Sequence, residues 1–335
     1  MSANGLSPAA LAVDLGGTTL KGAVVGPDGR PLHRESCPTP DGGDDVTQAL
    51  GDLLIRMRDR AAELGAEVAA AGIVTPGIID DGGGSVGYAS NLGWRDVPLA
   101  ELMAGRVGVP VAVGHDVRAA GLAERLLGEG RDEPELFYLA IGTGVAAAIF
   151  DDDEVLPGAT RSAGEIGHIP VFPDGEPCTC GQRGCLEVYL SGAGLARRYA
   201  ARTRGAERTA EEIAARLGAD PAADEVWTEG VRALALGLAT VTLTLDPSAI
   251  ILGGGVARAG AALLEPVRAE LDRLLAWRPA PRVAGSALGT EGGRIGAAAL
   301  AFRRAGLGRL VTDWTPATVI GGAAAARSGF PIPAP

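Results

Sequence analysis

The feature that most restricts the fold is a strand, glycine turn, strand pattern that occurs twice. The first copy runs Leu11-Ala-Val-Asp14-Leu15, then Gly16-Gly17-Thr18-Thr19, then Lys21-Gly-Ala-Val-Val25. The second runs Phe137-Tyr-Leu-Ala-Ile141, Gly142-Thr143-Gly144, then Val145-Ala-Ala-Ala-Ile-Phe150, with Gly142 in the place of Gly16. Short apolar runs joined by tight glycine turns read as β-hairpins. Two halves that begin alike point to an internal duplication, and hence to two similar units. The length of 335 residues agrees, because it exceeds one average domain of about 150 residues.

Between and after the hairpins the apolar pattern changes period. Residues 47–64 carry apolar side chains at helical spacing, and 68–74 form a short apolar run ending at Thr75-Pro76-Gly77. A strand over 107–113 is predicted to end at Gly114-His115-Asp116, with a helix over 117–127 behind it. Further on come a helix over 225–245, a strand over 249–252 running into Gly253-Gly254-Gly255, and an Ala-rich helix over 294–304. Strand and helix alternation defines an α/β protein. Residues 311–335, rich in Ala, Gly and Pro, read as a loosely ordered tail with no chemistry assigned.

Composition excludes several function classes. Thirty Lys and Arg against 41 Asp and Glu leave a net charge of −11, which opposes a duplex nucleic-acid partner. No run approaches the roughly 18 apolar residues of a membrane span, and the start lacks a basic leader, so a cytoplasmic protein without membrane attachment is expected. Four cysteines are too few for a disulfide scaffold, and three of them cluster at 178, 180 and 185. That clustering points to a metal.

Three groups of residues carry chemistry. Asp14, Gly16, Gly17, Thr18 and Lys21 surround one hairpin turn: glycine lets backbone N–H groups approach phosphate, and Asp14 can hold Mg²⁺ through water. With Gly142, Thr143, Gly144 and with Gly253, Gly254, Gly255, this makes three glycine turns each following a short strand, a cradle for a nucleotide. Asp116 sits where a strand hands over to a helix, the position at which open α/β sheets place ligands; the same position also suits a helix cap. His168, Cys178, Cys180 and Cys185 supply one imidazole and three thiolates, a closed tetrahedral set for structural Zn²⁺. Glu165 and Glu187 flank that set, placed to accept hydrogen bonds from sugar hydroxyls, while the second ring nitrogen of His168 stays available as a donor.

The Asp-x-Gly-Gly-Thr-x-x-Lys start, the Gly-Thr-Gly turn, Ala163-Gly-Glu-Ile-Gly-His168 and Cys-x-Cys-Gly-x-x-Gly-Cys-Leu-Glu187 occur together and in order. In this the chain resembles the ROK family of bacterial sugar kinases and repressors, over about residues 11–301. The resemblance implies an actin-like ATPase fold of the hexokinase, ribonuclease H-like type: an N-terminal α/β domain over 1–122, completed by a C-terminal helix over 294–310, and a larger domain over 123–293 with the zinc loop. It places the active site in the cleft between them. It implies Asp116 as catalytic base, and Gly77, Asn91, His115, Glu165, His168 and Glu187 as sugar-pocket residues. It makes Asp14, Gly16, Gly17 and Thr18, together with Gly142 to Gly144, the phosphate motifs, and Gly253 to Gly255 the adenosine motif. The implied activity is transfer of the γ-phosphoryl group of ATP, with Mg²⁺, to the 6-hydroxyl of a hexose such as glucose or N-acetylglucosamine, by a homodimer or homotetramer.

Two positions depart from the family pattern. The catalytic turn usually reads Glu-Asn-Asp, and here it reads Gly114-His115-Asp116; the Gly-Thr-Gly turn is followed by Val145 and Ala146 to Ala148 instead of further glycines. These departures leave open a sugar-binding sensor with weak or no turnover, or a kinase for another aminosugar or a cyclitol. Polyphosphate stays open as the donor. Family repressors carry an N-terminal helix-turn-helix ahead of the first motif, and Asp14 comes too early for one.

Overall fold

A computed structural model describes residues 6–152, 154–205 and 207–321. They divide into two compact units, one of residues 6–128 with 291–321 and one of 129–290. Among the described residues no helix is long and apolar enough to cross a membrane.

The first unit opens with β1 (Ser7–Leu15), β2 (Thr19–Val25), β3 (Pro31–Pro38), α1 (Gly43–Glu63) and β4 (Ala66–Thr75). It continues through β5 (Ile78–Asp80), β6 (Ser85–Ala89), β7 (Trp94–Val97), α2 (Leu99–Val107), β8 (Val111–His115) and α3 (Asp116–Leu127). Five strands form one sheet in the order β3-β2-β1-β4-β8, antiparallel from β3 to β1 and parallel from β1 to β8. Strand β1 lies at its centre and is buried on both faces from Ala9 to Val13, which is why it reads as a continuous apolar run. Helix α1 covers the sheet with Val46, Leu50, Leu53, Leu54, Met57 and Ala61, a stripe of helical period.

The second unit contains β9 (Leu136–Ile141), β10 (Val145–Asp151), β11 (Glu154–Val155), α4 (Leu186–Leu190), α5 (Gly192–Arg202) and α6 (Ala210–Ala214). After these come α7 (Pro221–Leu245), β12 (Ala249–Gly253), α8 (Gly254–Ala257), α9 (Ala261–Leu274) and β13 (Arg282–Gly285). Its sheet runs β11-β10-β9-β12-β13, with an antiparallel hairpin first and parallel strands after. The two sheets therefore share one connectivity, and Gly16 and Gly142 both open the turn after the central strand. The chain then returns to the first unit, where α10 (Gly292–Arg304) packs on β1, β4, β8 and α3, and α11 (Pro316–Ile320) ends the described residues.

The structure corrects the sequence reading at four places. Val107 is the last residue of α2, which Gly108 ends in the left-handed region, so the strand expected from 107 starts at Val111. Helix α7 begins at Pro221 and not at 225, because the Asp220 side chain caps the Ala222 N–H and proline suits the first helical position. The small antiparallel sheet β5-β6-β7 had no counterpart in the apolar pattern. Residues 311–321 are not a loose tail: Val311, Trp314 and Val319 are buried, and the Trp314 indole N–H donates to the Pro27 carbonyl at 2.9 Å. The Arg34 and Arg294 guanidinium groups donate to the Ile320 and Val319 carbonyls. Residues 322–335 of the expected tail lie outside the described residues.

Candidate active site

In the first unit the predicted residues gather at the carboxyl ends of β1, β4 and β8. Asp14 and Lys21 face each other across the β1–β2 pair, and the turn between them is closed by the Gly16 N–H donating to the Thr19 carbonyl at 3.0 Å. The Asn91 amide nitrogen lies against Gly17, where a Cβ would stand 3.1 Å from it, so this sugar-pocket residue and the phosphate turn adjoin. Gly77, after β4, abuts Tyr88 and Ala89 of β6.

Asp116 begins α3. Its Oδ1 accepts the Val117 N–H at 2.7 Å, and His115, the N-cap, offers Nδ1 to the same N–H at 3.2 Å. The two side chains are therefore 3.2 Å apart, Nδ1 to Oδ1. Burial pushes the Asp116 carboxyl above the usual carboxylate range, against the opposing pull of the Val117 N–H and Arg118. Asp81 braces this corner from the loop after β5: its Oδ1 accepts the His115 N–H at 3.2 Å and its Oδ2 pairs with buried Arg118 at 3.1 Å. Asp81 and Arg118 were not singled out from the sequence, since an acid followed by three glycines reads only as a loop. Asp14 is pushed up to about 6, first by burial and then by the charge of Asp116, while Lys21 and Arg294 act the other way.

In the second unit a cavity of about 980 Å³ is lined by Gly142 and Thr143 of the β9–β10 turn, Gly255 and Val256 of α8, and the small residues Ala193 and Ala196 of α5. Gly254 makes this possible: its φ of +85° and a virtual Cβ 2.5 Å from the Ile141 carbonyl oxygen exclude any side chain. The Gly192 N–H donates to the Gly142 carbonyl at 2.7 Å, which docks the start of α5 on the turn. Two of the three predicted glycine turns thus share one cavity. The contributions of α5, of Thr209 and of Arg208 and Arg258 had no local signature in the sequence.

His168, Cys178, Cys180 and Cys185 also meet: their ligand atoms all lie within 4.8 Å of one another. Cys180 Sγ is 3.7 Å from Cys185 Sγ, and Cys178 Sγ is 3.9 Å from His168 Nδ1. A tetrahedron with metal–sulfur bonds of about 2.3 Å has edges of about 3.8 Å, so the four donors fit one ion. Burial and the neighbouring thiols push Cys185 up to about 12, a crowding that a cation would relieve. Since Nδ1 faces the cysteines, Nε2 of His168 is the nitrogen left for a ligand. Glu187, at the start of α4, accepts the Val145 N–H at 2.8 Å, directly beside Gly144. Glu165 is exposed, one residue before the short 3₁₀ turn Ile166–His168.

The loop is tied to α5 as well. Glu176 accepts from Arg197 at 2.7 Å and Arg198 at 2.8 Å, and its N–H donates to the Tyr189 hydroxyl. Arg198 is buried over the Tyr189 ring and reaches Glu229 of α7. Arg197 also lines the cavity, so one helix touches both features.

Two sheets of one connectivity, each with a glycine turn after its central strand, and a carboxylate at a strand end form the arrangement of the actin-like ATPase fold. Residues 10–304 match the ROK family, and a glucokinase from Streptomyces coelicolor is 33% identical over 312 residues, 87% of this chain and 96% of that one. An N-acetylmannosamine kinase from Escherichia coli is 32% identical over 272 residues, covering 81% of this chain and 89% of the relative. The crystal structure of a ROK family glucokinase from Streptomyces griseus with glucose and AMPPNP has a TM-score of 0.77 at 33% identity, covering 88% of this chain and 99% of that chain. The chain belongs to the ROK family, on its sugar-phosphotransferase side.

Proposed function

We propose that the protein is an ATP-dependent hexose kinase that phosphorylates the 6-hydroxyl of glucose or N-acetylglucosamine, with Asp116 as the general base. The observation that carries this reading is Asp116 itself, a carboxylate at the β8–α3 junction whose burial raises its basicity. Asp116 takes the proton of the hydroxyl as the bond from O6 to the γ-phosphorus forms and the bond to the β,γ-bridging oxygen breaks, releasing ADP. Asn91, Glu165, the Nε2 of His168 and Glu187 would bind and orient the remaining hydroxyls. The N–H groups of the Gly16–Thr18 and Gly142–Gly144 turns stabilise charge on the phosphates.

The cavity of the second unit suits the nucleoside end of ATP. Its Ala193, Ala196 and Val256 surface gives a flat ring an apolar face, and Arg197, Arg208 and Arg258 surround it. That apolar share favours a nucleotide over polyphosphate as donor. Asp14 would hold Mg²⁺ through water, and the raised value of its carboxyl is what a nearby dication would reverse. Mg²⁺ bound with the nucleotide supplies charge neutralisation at the phosphates. Zn²⁺ on His168 and the three cysteines would fix the loop that presents Glu165 and Glu187, with no position left open for chemistry.

Retention of Asp116, with both glycine turns in place, favours this enzyme over a sensor without turnover. We place it in the cytoplasm as a homodimer or homotetramer, with no nucleic-acid partner, on family resemblance and charge. Incubation with ATP and a panel of hexoses, followed by ³¹P and ¹³C NMR of the product, tests the reading. A 6-phosphate of glucose or N-acetylglucosamine is expected, and phosphate on another carbon or on no sugar would contradict it.

A further inference from the structure

His115 occupies the place where the family pattern has an amide, and the structure gives that imidazole a defined partner. Its Nδ1 is 3.2 Å from Asp116 Oδ1, the ring is buried with 8% exposure, and both atoms accept the single Val117 N–H. An imidazole that accepts at Nδ1 carries its proton on Nε2 when neutral. In that state Asp116 Oδ1 receives nothing from the ring. A second proton on the ring sits at Nδ1, 3.2 Å from Asp116 Oδ1.

We propose that His115 is a positioning residue that gates the base: neutral, it leaves the Asp116 carboxylate free for the sugar proton, and protonated, it pins that carboxylate in an ion pair. This rests on Asp116 being the base. The other charged groups at the corner are fixed by partners of their own. Asp81 faces the His115 backbone N–H and is paired to Arg118, and Asp14 lies on β1, two strands away in the sheet, where the charge of Asp116 raises it. Glu291 and Arg294, at the start of α10, act on Asp14. An amide at position 115 could share the Val117 N–H but could not titrate. His115 therefore makes turnover fall with acid as its ring takes up a second proton.

Two measurements test this. The first follows kcat/KM from about pH 5 to about pH 8 for the wild type, His115→Asn and His115→Gln. Asparagine is among the best N-cap residues, so the start of α3 should survive the first change. The acid limb is expected to move down by about one pH unit or more in both variants; limbs that coincide with the wild type overturn the proposal. The second needs no turnover. The chain has three histidines, so His115→Asn assigns the His115 ring resonances, and their titration is compared between wild type and Asp116→Asn. Loss of the facing carboxylate should lower the midpoint by about one unit or more, and an unchanged midpoint overturns the gate. If instead Asp116→Asn turns over as fast as wild type, the reading of Asp116 as base is what fails, whatever the His115 resonances do.

Discussion

The Glu187 carboxylate, two residues beyond Cys185, accepts the backbone N–H of Val145 at 2.8 Å. One side chain thus joins the cysteine loop to the glycine turn that lines the cavity of the second unit. Gly144 leaves room for it, since a Cβ there would stand 2.6 Å from Glu187 Oε2.

Glu187→Ala should weaken both substrates. A hydrogen bond to a charged group contributes about 1.5–3 kcal/mol, so KM for ATP and for sugar should each rise about tenfold or more. Glu187→Gln keeps an acceptor for Val145, and its KM for ATP should stay nearer the wild-type value while that for sugar rises. Initial rates with both substrates varied separate the two; an effect on sugar alone in both variants would remove the link.

Metal analysis should find about one Zn²⁺ per chain, lost in Cys185→Ser. Chelation should lower the melting temperature by several degrees, as about 1 kcal/mol is worth roughly 2–4 °C in units of this size. An unchanged melting curve after complete zinc removal would show that the four side chains fold without an ion.

Asp14 carries a pH signature. Its carboxyl is raised from 3.8 to about 6, so the folded state binds that proton more tightly than the unfolded chain does. Stability from this group is complete below about pH 3.8 and is lost as pH rises through about 6. Asp14→Asn should therefore melt above the wild type at pH near 7.5, with the difference closing toward pH 4, while its kcat falls. Nucleotide-free melts across that range check the sign; a difference independent of pH would contradict it.

Trp314 anchors the segment that the sequence presented as a tail. It is buried against Phe302 edge to face at 5.6 Å. Trp314→Ala should cost about 3–5 kcal/mol of the first unit's stability, read by denaturant unfolding. A loss within experimental error would mean that the segment does not hold the fold.

Long apolar runs and helical stripes made most of the frame legible: both glycine hairpins, α1, α3, the bulk of α7, β12 and α10 lie close to where periodicity placed them. Such runs are visible because central strands and half-buried helices must be apolar at a fixed period. The β5-β6-β7 sheet was not legible, since Ile78 to Val97 mixes Asp, Gly and short polar stretches, with Ile79, Val86, Ala89 and Trp94 as the scattered buried anchors of its strands. Residues 311–321 escaped for a similar reason: Trp314, Val319 and two arginine-to-carbonyl bonds hold them through partners far away in sequence.

The candidate site divides in the same way. Asp14, Asp116, the cysteines and the glycine turns stood out because each sits in a short stretch of unusual composition. The pairing of Glu187 with Val145, of Asp81 with Arg118, and of α5 with the Gly142 turn joins positions with no shared local pattern. Only the fold brings them together.

Coupled ADP release with Mg-ATP over glucose, N-acetylglucosamine, N-acetylmannosamine, mannose, fructose and glucosamine, with Asp116→Asn alongside, tests the kinase reading most directly. Saturable turnover on glucose or N-acetylglucosamine is predicted, falling at least about 10²-fold in the variant. No turnover on any sugar, with sugar binding still measurable by calorimetry, would contradict the kinase account.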